Sequence, residues 1–336
     1  MSASHEQAGR SDLCSIICRS LQEPLAGTSI IATGWILVEQ PGPWGHDAIT
    51  QSHLDPVFGA EFDAEAKKAD LRFGLIRSPG KHSDAVPRAH RVYVASTVPG
   101  RSWMLTGCVP DPTMLADLDL EAVRHGDLKG AVASLPELAP VNESILLVCT
   151  NGKRDECCAV LGRPIVKAAS ATAPGRVWEA SHLGGHRFAP TATLLPAGIT
   201  YGHLDVETAA AILAAADRGE TVLEKLRGRS TWTKRGQLAE ITVRHLIGEA
   251  GLDALSVVTE DVETVTVQHV DGRVWTVEEI GETAYPRRPE SCGKEPFAMS
   301  ILRAGTITPG RVAPGRITSG ATEIVSPEAV ATGAAR

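Results

Sequence analysis

Apolar runs along the chain are separated by turns bearing glycine, proline and aspartate, and the order of the runs carries the information. Residues 144–149 (SILLVC) predict a buried strand; the polar turn TNGKRDE follows, and residues 157–171 have helical apolar spacing. Pro164 lies inside that segment and predicts a break or kink, because it lacks an amide donor and crowds the preceding turn. A strand is predicted over 176–182, then the loop LGGHRFAP, then a hairpin of 191–195 against 199–203 across Pro196, Ala197 and Gly198. Asp205 reads as the N-cap of a helix over 206–217, with Gly219 just past its end. The order is β-α-β-β-β-α.

The N-terminal half predicts the same order: strand 30–39, helix 60–69, strand 71–77, strands 91–97 and 102–109, and a helix over 112–124. A right-handed βαβ crossover completed by a hairpin and a closing helix is a thioredoxin-like core. The expected fold is therefore α/β, with two such units in tandem over 18–130 and 140–220. A small α/β module is expected over 221–284, from a helix at 234–249 with Leu238, Ile241, Val243 and Leu246 at apolar spacing and a hairpin turning at Asp271 and Gly272. Residues 285–336 show no periodicity and are expected to be a disordered tail.

The chain has 336 residues, 43% of them hydrophobic, and a formal charge of -7 from 33 basic and 40 acidic side chains. That balance offers no footprint for a nucleic-acid backbone or an anionic membrane. The basic stretch Lys225, Arg227, Arg229, Lys234 and Arg235 reads as the solvated approach to a helix. The first thirteen residues carry no apolar core of a leader, which predicts a soluble, cytoplasmic protein. Seven cysteines, an odd number including the adjacent Cys157 and Cys158, favour reduced thiols or metal ligands over a disulfide framework.

Cys149 and Cys158 flank the first strand-to-helix junction, and His182 and His186 lie on the loop after the neighbouring strand. Both loops leave the same edge of the sheet, where ligands gather in open α/β folds. Gly184 and Gly185 let the H-L-G-G-H loop approach a bulky group closely. Two cysteines and two histidines also make a zinc set, although zinc fingers space their cysteines only two to four apart. A thiol catalyst would instead want C-x-x-C at the helix start.

The segments VCTNGKRDECCAVLGRP (148–164) and WEASHLGGHRFAPT (178–191), with EPLAGT and LVEQPGPWG nearer the N-terminus, resemble the sucrase/ferredoxin-like family, relatives of the thioredoxin-like ferredoxins. The resemblance runs from about Cys18 to Gly219. It implies a [2Fe–2S] cluster with Cys149 and Cys158 on one iron and His182 and His186 on the other, with Cys157 as a competitor for Cys158. It further implies an electron carrier rather than an enzyme, working between a reductase and an acceptor protein, with proton-coupled reduction at a potential raised by the imidazoles. The alternative is a zinc-stapled interaction module without redox activity; a third reading has residues 221–283 binding a substrate or partner. The loops QPGPWG and RSPGKH of the first unit hold no cysteine and only His82, so one cluster per chain is expected.

Cys14, Cys18 and Cys108 read as core thiols, and Cys292 as a thiol on a loose segment. Pro190 stands where thioredoxin-like folds often place a cis-proline, an ordinary trans proline being the other reading. Arg154 and Arg187 are candidate donors or solvated loop residues. His203 reads as structural, and His46 and His53 as without a role.

Overall fold

The computed structural model describes residues 13–80, 87–278 and 280–311. Ten strands form one mixed sheet in the order β10-β9-β8-β6-β7-β2-β1-β3-β4-β5. The N-terminal half supplies β1 (Gly34–Glu39), β2 (Leu71–Arg77), β3 (His90–Ser96), β4 (Trp103–Val109) and β5 (Leu138–Val141). The second half supplies β6 (Ile145–Cys149), β7 (Val177–Ala180), β8 (Ala192–Leu195), β9 (Ile199–Tyr201) and β10 (Leu226–Arg229). The two halves share one pairing scheme. β1 runs parallel to β2 and antiparallel to β3, which continues through β4 to β5. β6 likewise runs parallel to β7 and antiparallel to β8, which continues through β9 to β10. They meet where β2 and β7 pair antiparallel at Ile76↔Ala180 and Arg77↔Glu179. Arg77 and Glu179 also form a buried ion pair at 2.8 Å, with the guanidinium stacked on Trp44.

Helices cover the sheet where apolar stripes require it. α1 (Cys14–Ser20) precedes β1, and α2 (Pro56–Lys68) crosses between β1 and β2. α2 begins four residues before the expected position 60, because Asp55 accepts the amides of Val57 and Phe58 at 2.9 Å. The single helix expected over 112–124 is instead a 3₁₀ turn (Pro112–Asp117), α3 (Leu120–His125) and α4 (Leu128–Ser134). Asp119 and Asp127 each cap a fresh start, and Gly126 is left-handed between them at φ 74°.

α5 (Glu156–Thr172) runs unbroken through Pro164, contrary to the expected break. Its buried face, Ile165, Val166 and Ala169, packs onto the second-half core with Val148 and Val177, and this burial offsets the one missing backbone bond. α6 (Val206–Ala216) starts where Asp205 accepts the Thr208 amide at 2.8 Å.

Beyond α6, β10 extends the large sheet, and α7 (Lys234–Ile247) packs its Leu238, Ala239 and Val243 against β11 (Leu255–Glu260), β12 (Thr264–His269) and β13 (Arg273–Glu278). The hairpin around Asp271 is present as expected. Residues 285–311, expected to lack structure, carry strands: β14 (Gly281–Arg288), β15 (Phe297–Arg303) and β16 (Ile307–Arg311). The reason is non-local. Arg288 is fully buried and pairs with Glu23 next to α1, while Ile301 is buried too. Residues beyond 311 lie outside the described residues. Cys108, expected in the core, is exposed, because β5 covers β4 only from Met104 to Gly107. No helix among the described residues is long and apolar enough to cross a membrane.

A methyl group at Gly162 would overlap the carbonyl oxygen of Cys149, whereas one at Gly74 meets nothing closer than Leu37 at 3.6 Å. Gly162→Ala should therefore cost about 1–3 kcal/mol, and Gly74→Ala should be neutral or stabilise by up to about 1 kcal/mol. Urea unfolding of the two variants checks the contrast. His203 is the clearest acid-sensitive group: burial, with Arg19 and Arg227 nearby, lowers its pKa from 6.5 to about 4. The protonated form is favoured in the unfolded chain, so stability is complete above about pH 6.5 and falls progressively toward pH 4. His203→Gln should flatten the difference in unfolding midpoint between pH 7 and pH 5.

Candidate metal centre

Cys149 is the last residue of β6, and the chain turns at once into α5. Asn151 fixes the turn by accepting the Lys153 amide at 3.1 Å and donating to the Gly45 carbonyl at 3.0 Å, which ties it to the QPGPWG loop of the first half. Asp155 caps α5 by accepting the Cys157 amide at 3.0 Å. The missing side chain at Gly162 brings α5 against the Cys149 carbonyl, so Cys158 in the first turn lies over the end of β6.

The Cys149 sulfur is the focus of the site. Cys158, His182 and the Leu183 amide are the neighbours that act on it. The Cys158 side chain, reinforced by His182, holds the Cys149 thiol well below its usual range despite burial. Cys158 is pushed up, first by Cys149 and then by burial. Both cysteines are 1% exposed. The His186 ring lies 6.4 Å from that of His182, centroid to centroid. Its Nδ1 is buried without a hydrogen-bond partner among the described residues. Burial lowers the His186 pKa, so the ring is neutral and keeps a lone pair for a ligand.

The histidine loop is held from beneath. Gly184 and Gly185 are left-handed at φ 74° and 69°. The Arg227 guanidinium donates to the Gly184 carbonyl at 3.0 Å, to Thr28 Oγ1 at 3.1 Å and to the Thr28 carbonyl. It lies 5.2 Å over the Phe188 ring, in the space that a side chain at Gly185 would need. Two cavities flank the loop. One of 370 Å³ is lined by Glu23, Gly185, Arg187, Arg227 and Lys234. One of 190 Å³ is lined by His182, Arg72, Asn151 and Arg154.

A family model described as sucrase/ferredoxin-like matches residues 25–228. The chain belongs to the sucrase/ferredoxin-like family. Searches among curated proteins and among solved structures match nothing. The sucrase/ferredoxin-like match takes in both halves of the large sheet and ends in β10, so the helix and strands after it lie outside the family region.

Within this sucrase/ferredoxin-like chain, Cys158 and His182 are neighbours that act on Cys149, and the His186 ring lies beyond that of His182. Cys157 turns the other way, with its sulfur 3.5 Å from that of Cys14 and 3.0 Å from that of Cys292. The basic stretch was expected to be solvated, but none of its five residues is exposed, and Arg227 and Arg229 are both 2% exposed. Arg229 pairs with Asp253 at 2.9 Å, as Arg227 pairs with the loop carbonyls. Arg187 is not a free donor, since it pairs with Glu23 at 3.0 Å. Arg154 lines the cavity beside His182. The Ala189–Pro190 peptide is cis. His203 contacts the Ala189 carbonyl and Cys18, His46 and His53 are exposed, and His82 lies outside the described residues.

A lysine cannot make the three donations of Arg227. Arg227→Lys should loosen the loop by about 1.5–3 kcal/mol, on the scale of hydrogen bonds from charged groups. Faster amide hydrogen exchange from Leu183 to Phe188 is the readout.

Proposed function

We propose that this protein is a one-electron carrier whose [2Fe–2S] cluster is bound by Cys149, Cys158, His182 and His186. Each half of the large sheet is, on this reading, a thioredoxin-like unit, with ligands only in the second. The observation that carries the proposal is the shared end of the parallel strands β6 and β7, which sets Cys149 and Cys158 beside the His182 loop, together with a buried His186 nitrogen that has no partner among the described residues. Two cysteines and two histidines are a donor set that fits such a cluster.

When bound, the cluster would accept and release one electron, at a potential raised above that of an all-cysteine centre because two imidazoles replace two thiolates. The protein's own groups set its surroundings. Trp178, Leu183 and Ala189 exclude water from one side, in the same buried cluster as both cysteines. The Leu183 amide stabilises negative charge on Cys149. Arg227 fixes the loop that carries both histidines, and each histidine has a second ring nitrogen at which a proton can be held or released. His182 is half-buried and borders the 190 Å³ cavity with Arg154, which gives a redox partner protein a point of approach. A reductase and an acceptor are the expected partners and the cytoplasm the expected setting; nucleic acid and membrane are not expected partners.

Anaerobically purified protein should contain about two iron and two acid-labile sulfide per chain and absorb in the visible. Cys149→Ser and Cys158→Ser should abolish that absorption, while Cys157→Ser should retain it, and the midpoint potential should fall as pH rises. Stoichiometric zinc on these four residues without sulfide would refute the electron-transfer reading in favour of a zinc-stapled module.

A further inference from the structure

The second thiol of the vicinal pair belongs to a separate constellation. Cys14 at the start of α1, Cys157 in the first turn of α5 and Cys292 in the β14–β15 loop bring three sulfurs together, at 3.5, 3.0 and 3.6 Å around the triangle. All three are free thiols. The shortest separation is far from the bond length of a disulfide, about 2.05 Å. The Asp155 carboxylate, 3% exposed, completes the group, and the four ligand atoms all lie within 4.8 Å of one another.

The group approaches a small tetrahedron, with the 3.0 Å Cys157–Cys292 edge the one that must lengthen to hold an ion. With Zn–S near 2.3 Å and Zn–O near 2.1 Å, tetrahedral zinc requires edges of roughly 3.8 Å between sulfurs and roughly 3.6 Å from sulfur to oxygen. Both Asp155 oxygens lie 3.8 Å from the Cys14 sulfur. Oδ2 already accepts the Ser291 hydroxyl at 2.7 Å and the Cys292 amide at 3.0 Å, whereas Oδ1 accepts the Cys157 amide and the Cys14 thiol, whose proton a metal would displace. The Ser15 backbone amide donates to the Cys157 sulfur at 3.5 Å, where it can bear negative charge. Three thiols crowded on a buried carboxylate repel one another once ionised, and a shared cation removes that cost.

We propose that Cys14, Cys157, Cys292 and Asp155 Oδ1 form a second, structural metal site that binds one zinc ion. Binding displaces three thiol protons: Zn²⁺ with three thiols and one carboxylate gives a tetrahedral complex of net charge -2 and three released protons. With four protein ligands the site has no open position, which makes it a staple rather than a catalytic centre. It joins α1, α5 and the β14–β15 hairpin, and it assigns the adjacent Cys157 and Cys158 to different metals.

The test measures zinc and iron separately in the full-length protein, purified anaerobically from zinc-supplemented cells and desalted. The expected result is about one zinc per chain, with a zinc-edge X-ray absorption shell of three sulfurs and one oxygen. Cys292→Ser and Cys14→Ser should lower zinc at least tenfold, with iron content and circular dichroism unchanged. Cys108→Ser, at an exposed thiol, should change neither metal. Wild-type protein with less than about a tenth of a zinc per chain overturns the proposal, as does a Cys157–Cys292 disulfide in that preparation. A shell of two sulfurs and two nitrogens also overturns it, since zinc would then sit on Cys149, Cys158, His182 and His186. Zinc on three sulfurs and one oxygen in protein devoid of iron would support this site while refuting the electron carrier.

Discussion

The buried carboxylate of Asp155 is the constraint on which both thiol groups depend. Through Oδ1 it starts α5, and through Oδ2 it receives the hydroxyl of Ser291 and the amide of Cys292. A helix start is the one place where a carboxylate is stabilised by free amides and by the helix dipole together. Fixing it there fixes the rotation of α5 about its axis. That rotation directs Cys158 toward β6 and Cys157 toward α1, because consecutive helical residues project about 100° apart. A polar side chain at the surface could not do this, as water would compete for each donor.

Two other features convert the cap into a rigid site. The absence of a side chain at Gly162 lets α5 approach the Cys149 carbonyl, so the distance between the two cysteines is set by backbone packing rather than by flexible side chains. Arg227 does the equivalent for the histidine loop. A guanidinium buried at that depth needs acceptors around it, and loop carbonyls supply them. Burial lowers its pKa to about 9, but it remains charged at neutral pH and gives the loop a cationic floor.

Much of this was readable from local pattern. The continuous apolar runs of β2 and β6, the Asp205 cap of α6 and the Asp271 turn all lie within a few residues of the side chains that decide them. That the loops after β6 and β7 leave the sheet side by side followed from the expected parallel pairing of those strands. What escaped was decided across the sequence. Arg227 and Arg229 alternate with Leu226 and Gly228 at strand spacing, a signal masked by charge, since burial is read from apolar residues and not from guanidiniums that find distant carbonyls. Asp119 and Asp127 reset the helix within a run that looks continuous in apolar spacing. The strands after Tyr285 are held by Glu23 and Asp155, more than a hundred positions away, and no window of sequence contains both partners.

The separation of Cys157 from Cys292, 135 positions, has a consequence during synthesis. At a ribosomal rate of about 5–20 residues per second, Cys157 emerges roughly 7–27 s before its hairpin partner is made. Throughout that interval the second half of the sheet can collapse around Cys149 and Cys158, while Cys157 waits with only Cys14 near it. The nascent chain thus meets its thiols in a fixed sequence, and the β14–β15 hairpin can bring Cys292 to Cys157 only well after Cys149 and Cys158 have been made.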